Sequence, residues 1–138
     1  MSCLFIFKYY SVWLLHYYKL GDFNRVKKYL EQAVKSYSQG QANNLELARS
    51  LTYLGRLLLD AELYKEAKAK LKQSIALLSK ETEPSIALSH TNLYLGILYS
   101  DLADYYNAFK LFAQSLELYK TLNIEMDVGW VLHAMGYC

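Results

Sequence analysis

The stretch SLTYLGRLLLDAELYKEAKAKL at residues 50–71 has a close counterpart in SHTNLYLGILYSDLADYYNAFKLF at residues 89–112. Gly55 in the first stretch and Gly96 in the second stand 41 positions apart, each directly after a leucine. Around both glycines, apolar residues recur at three- and four-residue steps, which is the spacing of one face of an α-helix. A second run of the same kind follows a short break in each stretch. The sequence therefore predicts a repeating unit of two helices.

The 41-residue register covers many more positions than the two glycines. The matching pairs are Leu54 and Leu95, Leu58 and Tyr99, Tyr64 and Tyr105, Ala67 and Ala108, Leu71 and Phe112, and Ser74 and Ser115. One period earlier, Leu14 takes the glycine position, and a further unit begins around Gly136 at a spacing of 40. The stretch LFIFKYYSVWLLHYYKL at 4–20 is therefore interpreted as the first helix of the first unit.

This register predicts seven helices, at 3–19, 23–38, 45–60, 63–80, 85–101, 104–121 and 124–138. One helix pair cannot bury its apolar face alone, so neighbouring pairs must stack around a continuous core. We therefore predict an all-α fold, an α-solenoid of antiparallel helix pairs. Gly55 and Gly96 are expected where the helices of a pair cross closely, facing Ala67 and Ala108. Asp104 suits the N-cap of its helix.

The units resemble tetratricopeptide repeats (TPRs), whose pattern is W-x2-L-G-x2-Y followed by A-x3-F and P. That pattern appears here as Leu51, Leu54, Gly55, Leu58, Ala67 and Leu71, and again as Asn92, Leu95, Gly96, Tyr99, Ala108 and Phe112. The period exceeds the usual 34 residues, and Ser38, Ser79 and Lys120 stand where the family has proline. Long repeats of this kind are similar to those of bacterial regulators and kinesin light chains.

The resemblance implies a right-handed solenoid in which residues 1–138 form a single TPR domain. Its repeats are expected at about 3–40, 44–81 and 85–122, with a partial repeat at 124–138. The broken fourth repeat favours either a fragment of a larger protein or an open end that docks on something. Val128, Trp130 and Met135 give the last helix an apolar face, which predicts self-association through that helix.

TPR arrays bind a peptide or partner helix along a concave groove lined by the first helix of each pair, so the resemblance also implies a site. The corresponding residues are Lys8, Arg49, Thr52, Tyr53, Arg56, His90, Tyr94, Ile97, Trp130 and His133. Such a groove is mildly basic and rich in aromatic residues, which suits a peptide with an acidic group. Alternatively, Arg49 and Arg56 belong to a solvated helix face, and the array only positions or oligomerises an effector domain.

Other classes of function have little support in the sequence. The formal net charge is +2, which does not favour a nucleic-acid partner. No cysteine or paired carboxylate completes a metal site with the histidines, and no phosphate loop or nucleophile motif occurs, so we expect no cofactor and no catalysis. Asp60 and Asp101 are interpreted as solvated helix-end carboxylates. Two distant cysteines indicate a reduced, cytoplasmic protein, and charges in the first apolar stretch argue against a membrane span.

Overall fold

A computed structural model of the chain describes residues 20–40, 44–81, 85–123 and 134–136. These ranges contain five α-helices, α1 (Leu20–Gln39), α2 (Asn44–Asp60), α3 (Tyr64–Leu78), α4 (Ile86–Asp101) and α5 (Tyr105–Thr121), and no strand. The prediction of an all-helical protein is confirmed over this part of the chain, with helix ends within three residues of those expected. The helices predicted at 3–19 and 124–138 lie outside the described residues, apart from 134–136.

The helices of the two complete pairs, α2 with α3 and α4 with α5, cross closely at their glycines. A Cβ atom placed on Gly55 would lie 2.7 Å from Cγ of Leu71, and one on Gly96 would lie 2.6 Å from Cε1 of Phe112. Cβ atoms essentially never come this close to a neighbour, so the close crossing depends on glycine in both pairs. The nearest side chains are those of Leu71 and Phe112, one turn after the predicted alanines, while the carbonyl oxygen of Ala67 lies 3.5 Å from the same Cβ at Gly55.

A serine hydroxyl links the two helices of each pair at equivalent positions. The Oγ of Ser74 donates to the carbonyl oxygen of Ala48 at 2.9 Å, and the Oγ of Ser115 donates to that of Ser89 at 2.9 Å. Both serines are fully buried, and the two donors and the two acceptors are each 41 positions apart. Because Ala48 near the start of α2 meets Ser74 near the end of α3, the pair is antiparallel.

The tight turn inside each pair is repeated as well. Glu62 and Ala103 both have a φ of 61°, in the left-handed region. After Glu62, the amide of Leu63 donates to the carbonyl oxygen of Leu58 at 2.9 Å, and the equivalent bond one period later is 2.8 Å long. A left-handed residue with this bond is the Schellman ending of a helix. It reverses the chain so that the second helix can pack back on the first.

The first residues of the later helices are fixed by side-chain caps. The Ser85 hydroxyl accepts a hydrogen bond from the amide of Leu88 at 3.2 Å, and the Asp104 carboxylate accepts one from the amide of Asn107 at 3.3 Å. Each bond satisfies a backbone donor that the helix itself cannot use. The predicted cap at Asp104 is confirmed.

The apolar core continues from one helix pair to the next. The first cluster comprises Leu54, Leu58, Leu59, Ala67, Leu71, Leu95 and Leu98, from α2, α3 and α4. The second comprises Leu93, Ala108, Phe112 and Tyr119, and Met135 packs against it. Ile97 and Tyr99 pack against both clusters. Helix α4 is therefore shared between the pair before it and the pair to which it belongs.

Candidate functional site

Helices α2 and α4, the first helices of the two complete pairs, lie side by side and run in the same direction. Oγ1 of Thr52 lies 2.7 Å from Oγ1 of Thr91, and one turn further along Nη1 of Arg56 donates to the hydroxyl of Tyr94 at 3.1 Å. The numbers rise together on the two helices, so the helices are parallel. We name the surface they share the α2–α4 face, defined by Arg49, Tyr53, Arg56, His90, Tyr94 and Ile97.

Two contacts hold Arg56 against Tyr94 at the centre of this face. The guanidinium carbon lies 5.2 Å from the centroid of the tyrosine ring, within the range of a cation–π interaction, and one guanidinium nitrogen donates to the hydroxyl. Burial raises the pKa of the Tyr94 hydroxyl, although the positive charge of Arg56 opposes that shift. Tyr94 therefore stays a neutral acceptor that orients the arginine.

His90 extends the aromatic surface along α4. Its ring stacks on Tyr94, with centroids 6.3 Å apart and an angle of 26° between the planes. The His90 ring also meets the ring of Tyr119 from α5, with centroids 5.7 Å apart and an angle of 58° between the planes. Tyr119 is fully buried, so His90 connects the surface to the second core cluster. Ile97, also on this face, is half-buried and packs against both core clusters.

Tyr53 and Arg49 are the most accessible members of the α2–α4 face. The Tyr53 side chain is 57% exposed, which is unusual for a large ring inside a packed helix array. Arg49 is also exposed, and its Nη1 lies 3.2 Å from Oε1 of Glu46 one turn earlier. An exposed ion pair of this kind contributes little to stability, so an incoming anion can displace Glu46 at small cost.

The structure places Thr52 in the core instead of on the face. Only 4% of the residue is exposed, and its hydroxyl lies 2.7 Å from those of Ser74 and Thr91 and 3.0 Å from the carbonyl oxygen of Ala48. These bonds join α2 to α3 and α4. Thr52 is thus a buried link between helices, and a ligand on the α2–α4 face cannot reach its hydroxyl.

Asp60 lies one turn beyond Arg56 at the end of α2 and is half-buried, contrary to the expectation of a solvated carboxylate. Desolvation raises its pKa to about 6, the Arg56 charge opposes this, and the negative charge of Asp101 adds to it. The sequence gives one signal for this environment, the apolar run Leu57–Leu59 directly before Asp60. At neutral pH the ionised Asp60 is the nearest counter-charge to Arg56 on the same helix.

Asp101 occupies the position equivalent to Asp60 at the end of α4. Its pKa is raised first by desolvation and then by the negative charge of Glu62, while a hydrogen bond from the Tyr64 hydroxyl lowers it. Asp101 is more exposed than Asp60. The α2–α4 face therefore carries cations in its middle and carboxylates at one end, which gives a bound chain a preferred direction.

The remaining predicted site residues, Lys8, Trp130 and His133, lie outside the described residues. Over the described ranges, no group of three or more His, Cys, Asp and Glu side chains is arranged to hold a metal ion. None of the helices in those ranges has the length and apolar character needed to cross a membrane. No family model, curated protein or solved structure matches this chain.

Proposed function

We propose that the chain is a non-catalytic protein- or peptide-binding module of the TPR type, a right-handed solenoid of helix pairs. Its support is the repetition of three contacts at 41 residues: the glycine crossing, the buried serine bond and the left-handed turn. An array whose units repeat in this way presents a continuous row of first helices to a partner. We further propose that the module works inside a cytoplasmic regulatory or scaffold protein.

The binding site of this proposal is the α2–α4 face, and the pre-positioned Arg56 is the observation that carries it. An arginine already fixed by Tyr94 loses little side-chain freedom when it receives a ligand, which favours affinity. A guanidinium group can form two parallel bonds to a carboxylate, which makes arginine the residue of choice for binding such a group. Tyr53 adds an exposed flat surface, and tyrosine is enriched at protein interfaces for this reason. The expected ligand is an extended peptide or a partner helix with an acidic group beside apolar side chains.

A panel of acidic and neutral peptides tests the site, with affinity measured by fluorescence anisotropy. Arg56→Glu should weaken binding of the acidic peptides at least tenfold, because it replaces the anion-binding group with a like charge. Arg56→Lys should weaken it less, since the charge remains and the two-bond geometry is lost. Lys120→Glu is the matched control, because it makes the same change of charge at an exposed position of α5. Equal affinities for Arg56→Glu and wild type would remove this face as the site.

A second candidate function is supported by the exposed aromatic residues at the start of α5. Tyr105, Tyr106 and Phe109 are 59%, 81% and 43% exposed, and aromatic clusters of this kind mark contact surfaces. They suit a structural array that self-associates and positions an effector domain without a ligand of its own. Sedimentation velocity over a range of concentrations tests this alternative. Self-association that Tyr106→Lys abolishes would favour it, and a monomer at every concentration would count against it.

A further inference from the structure

Charge is distributed unequally between the two kinds of helix in the described ranges. Two of the three second helices, α1 and α3, carry eight Lys and Arg residues against three Asp and Glu residues, whereas the third, α5, carries two against one. The first helices α2 and α4 carry two Arg against three acidic residues. The net formal charges are +5 and −1. The chain as a whole is close to neutral at +2, so the positive charge is concentrated on α1 and α3.

Ion pairing increases this concentration. Nζ of Lys27 lies 3.9 Å from Oε1 of Glu31 and 4.0 Å from Oε2 of Glu66, so a single lysine is shared by two of the three acidic side chains. On α1 and α3, the cations that are exposed and have no carboxylate within 4.0 Å among the described residues are Arg25, Lys28, Lys35, Lys65 and Lys72. We name these five residues the basic face.

The five cations form two stripes on neighbouring helices. At roughly 100° per residue, Arg25, Lys28 and Lys35 fall within about 80° of one another around α1, and Lys65 and Lys72 within about 20° around α3. The contact between Lys27 and Glu66 shows that the two helices are adjacent. The 41-residue register predicts that they run parallel. Viewed along the parallel helices, each stripe then lies about 110° around its helix from the line that joins Lys27 to Glu66, and both stripes are on the same side of that line.

An aromatic ring stands beside these charges. Tyr29, one turn after Arg25 and next to Lys28, is 71% exposed. Asp22, in the first turn of α1, is the acidic residue that remains outside the Lys27 ion pairs on these two helices. The surface thus combines long flexible ammonium groups, one guanidinium and an amphipathic ring, while its exposed carboxylates Glu31 and Glu66 both lie within 4.0 Å of Lys27.

We propose that the basic face binds the surface of a membrane that contains anionic phospholipids. Basic clusters are attracted to anionic headgroups, and each lysine or arginine near the surface adds to the attraction. Tyrosine is enriched at the level of the headgroups, where its ring and hydroxyl meet different environments. This binding is peripheral, is separate from the α2–α4 face and does not depend on the proposed peptide site.

The residue types favour a lipid surface over nucleic acid. Four of the five cations are lysines, which act as mobile point charges and suit many loosely arranged phosphates. Specific reading of bases places arginine or lysine on guanine and asparagine or glutamine on adenine, at fixed positions in a groove. The basic face has one arginine, at the edge of the α1 stripe.

Vesicle co-sedimentation with the full chain tests the proposal. The probes are vesicles of phosphatidylcholine alone and of phosphatidylcholine with about 30% phosphatidylserine, at low and at 0.5 M salt. We expect binding to the serine-lipid vesicles only, and its loss at high salt, where charges are screened within about 4 Å. Lys65→Glu with Lys72→Glu should weaken this binding at least tenfold. Lys110→Glu with Lys120→Glu is the control, the same change of charge at exposed positions of α5, and should retain vesicle binding.

Circular dichroism must show wild-type helicity for both double variants, so that a loss of binding is not a loss of folding. The salt series on the wild-type chain is a second measurement, which needs no variant. Absence of binding to the serine-lipid vesicles at low salt overturns the proposal. Equal weakening by the two double variants also overturns it, because net charge and not the basic face would then control binding. Tighter binding to a DNA duplex than to the vesicles at the same salt overturns the lipid assignment in favour of nucleic acid.

Discussion

The ring of Phe112 in α5 lies directly against the backbone of Gly96 in α4, so close that a Cβ on Gly96 would stand 2.6 Å from Cε1 of the ring. Phe112 is 2% exposed and is surrounded by the second core cluster. The ring therefore has little room to withdraw. The spacing of the α4–α5 pair depends on the missing side chain at position 96.

Gly96→Ala is expected to destabilise the protein. Overpacking a core costs about 1–3 kcal/mol, while alanine in a helix regains about 1 kcal/mol relative to glycine. The net loss should be up to about 2 kcal/mol in urea unfolding followed by circular dichroism. Gly40→Ala is the control, since its Cβ would meet only the carbonyl oxygen of Ser36 at 3.6 Å. A Gly96→Ala variant as stable as wild type would show that the ring can move.

A second change distinguishes the clash from other effects of the alanine. Phe112→Leu removes part of the ring and costs stability alone, by leaving a cavity. Combined with Gly96→Ala, it should cost less than the two single losses together, because the smaller side chain accommodates the new methyl group. Strict additivity of the two losses would contradict a direct contact between these positions.

Thr52→Val should destabilise the junction of α2, α3 and α4. Valine keeps the shape of threonine and removes a hydroxyl that lies 2.7 Å from those of Ser74 and Thr91. The two neighbours keep bonds to the carbonyl oxygens of Ala48 and Ala87, so we expect a loss of about 1–2 kcal/mol. Thr121→Val, which removes an exposed bond to the carbonyl oxygen of Glu117, should change the unfolding midpoint little.

The helices and their close crossings are predictable from the sequence because both follow from local spacing. Apolar residues at three- and four-residue steps define a helix face, and a glycine repeated at 41 residues marks a crossing. The partner of that glycine is less predictable. Leu71 and Ala67 share a face of α3, and the depth of packing between the helices decides which of them lies closest to Gly55.

The candidate site is only partly predictable, because burial at its edges depends on other helices. The sequence around Thr52 would be the same whether its side chain faced a groove or the two buried hydroxyls of neighbouring helices. Asp60 resembles an ordinary helix-end carboxylate until α4 packs beside it. Arg56 and Tyr94 are predictable as neighbours on one face, but their mutual contact depends on the parallel alignment of α2 with α4.

Ala103→Gly should stabilise the protein. Ala103 has a φ of 61°. This left-handed conformation raises the energy of a residue with a Cβ by roughly 1 kcal/mol but does not do so for glycine. Part of the gain is lost because glycine is more flexible in the unfolded chain. We expect a net gain of about 0.5 kcal/mol, seen as a higher thermal midpoint. Ala113→Gly, at an exposed position inside α5, should instead cost about 1 kcal/mol. Losses of similar size in both variants would contradict a left-handed conformation at 103.

Asp60 should make the stability of the fold depend on pH between about 4 and 6. Its pKa is about 6 in the folded chain, against the ordinary 3.8, so over this interval the folded state holds a proton that the unfolded state has lost. The free energy of unfolding therefore decreases as the pH rises through the interval. Above the interval, Asp60 adds no further pH dependence. At one pKa unit per 1.36 kcal/mol, the penalty at neutral pH is about 2–3 kcal/mol at most.

Asp60→Asn has no such proton to lose. It should match wild type near pH 4 and exceed it in stability at pH 7, as measured by urea unfolding at a series of pH values. Glu117→Gln, on the exposed side of α5, controls for the loss of one negative charge. A constant difference between Asp60→Asn and wild type from pH 4 to 7 would mean that the carboxyl group is as well hydrated in the folded chain as in the unfolded one.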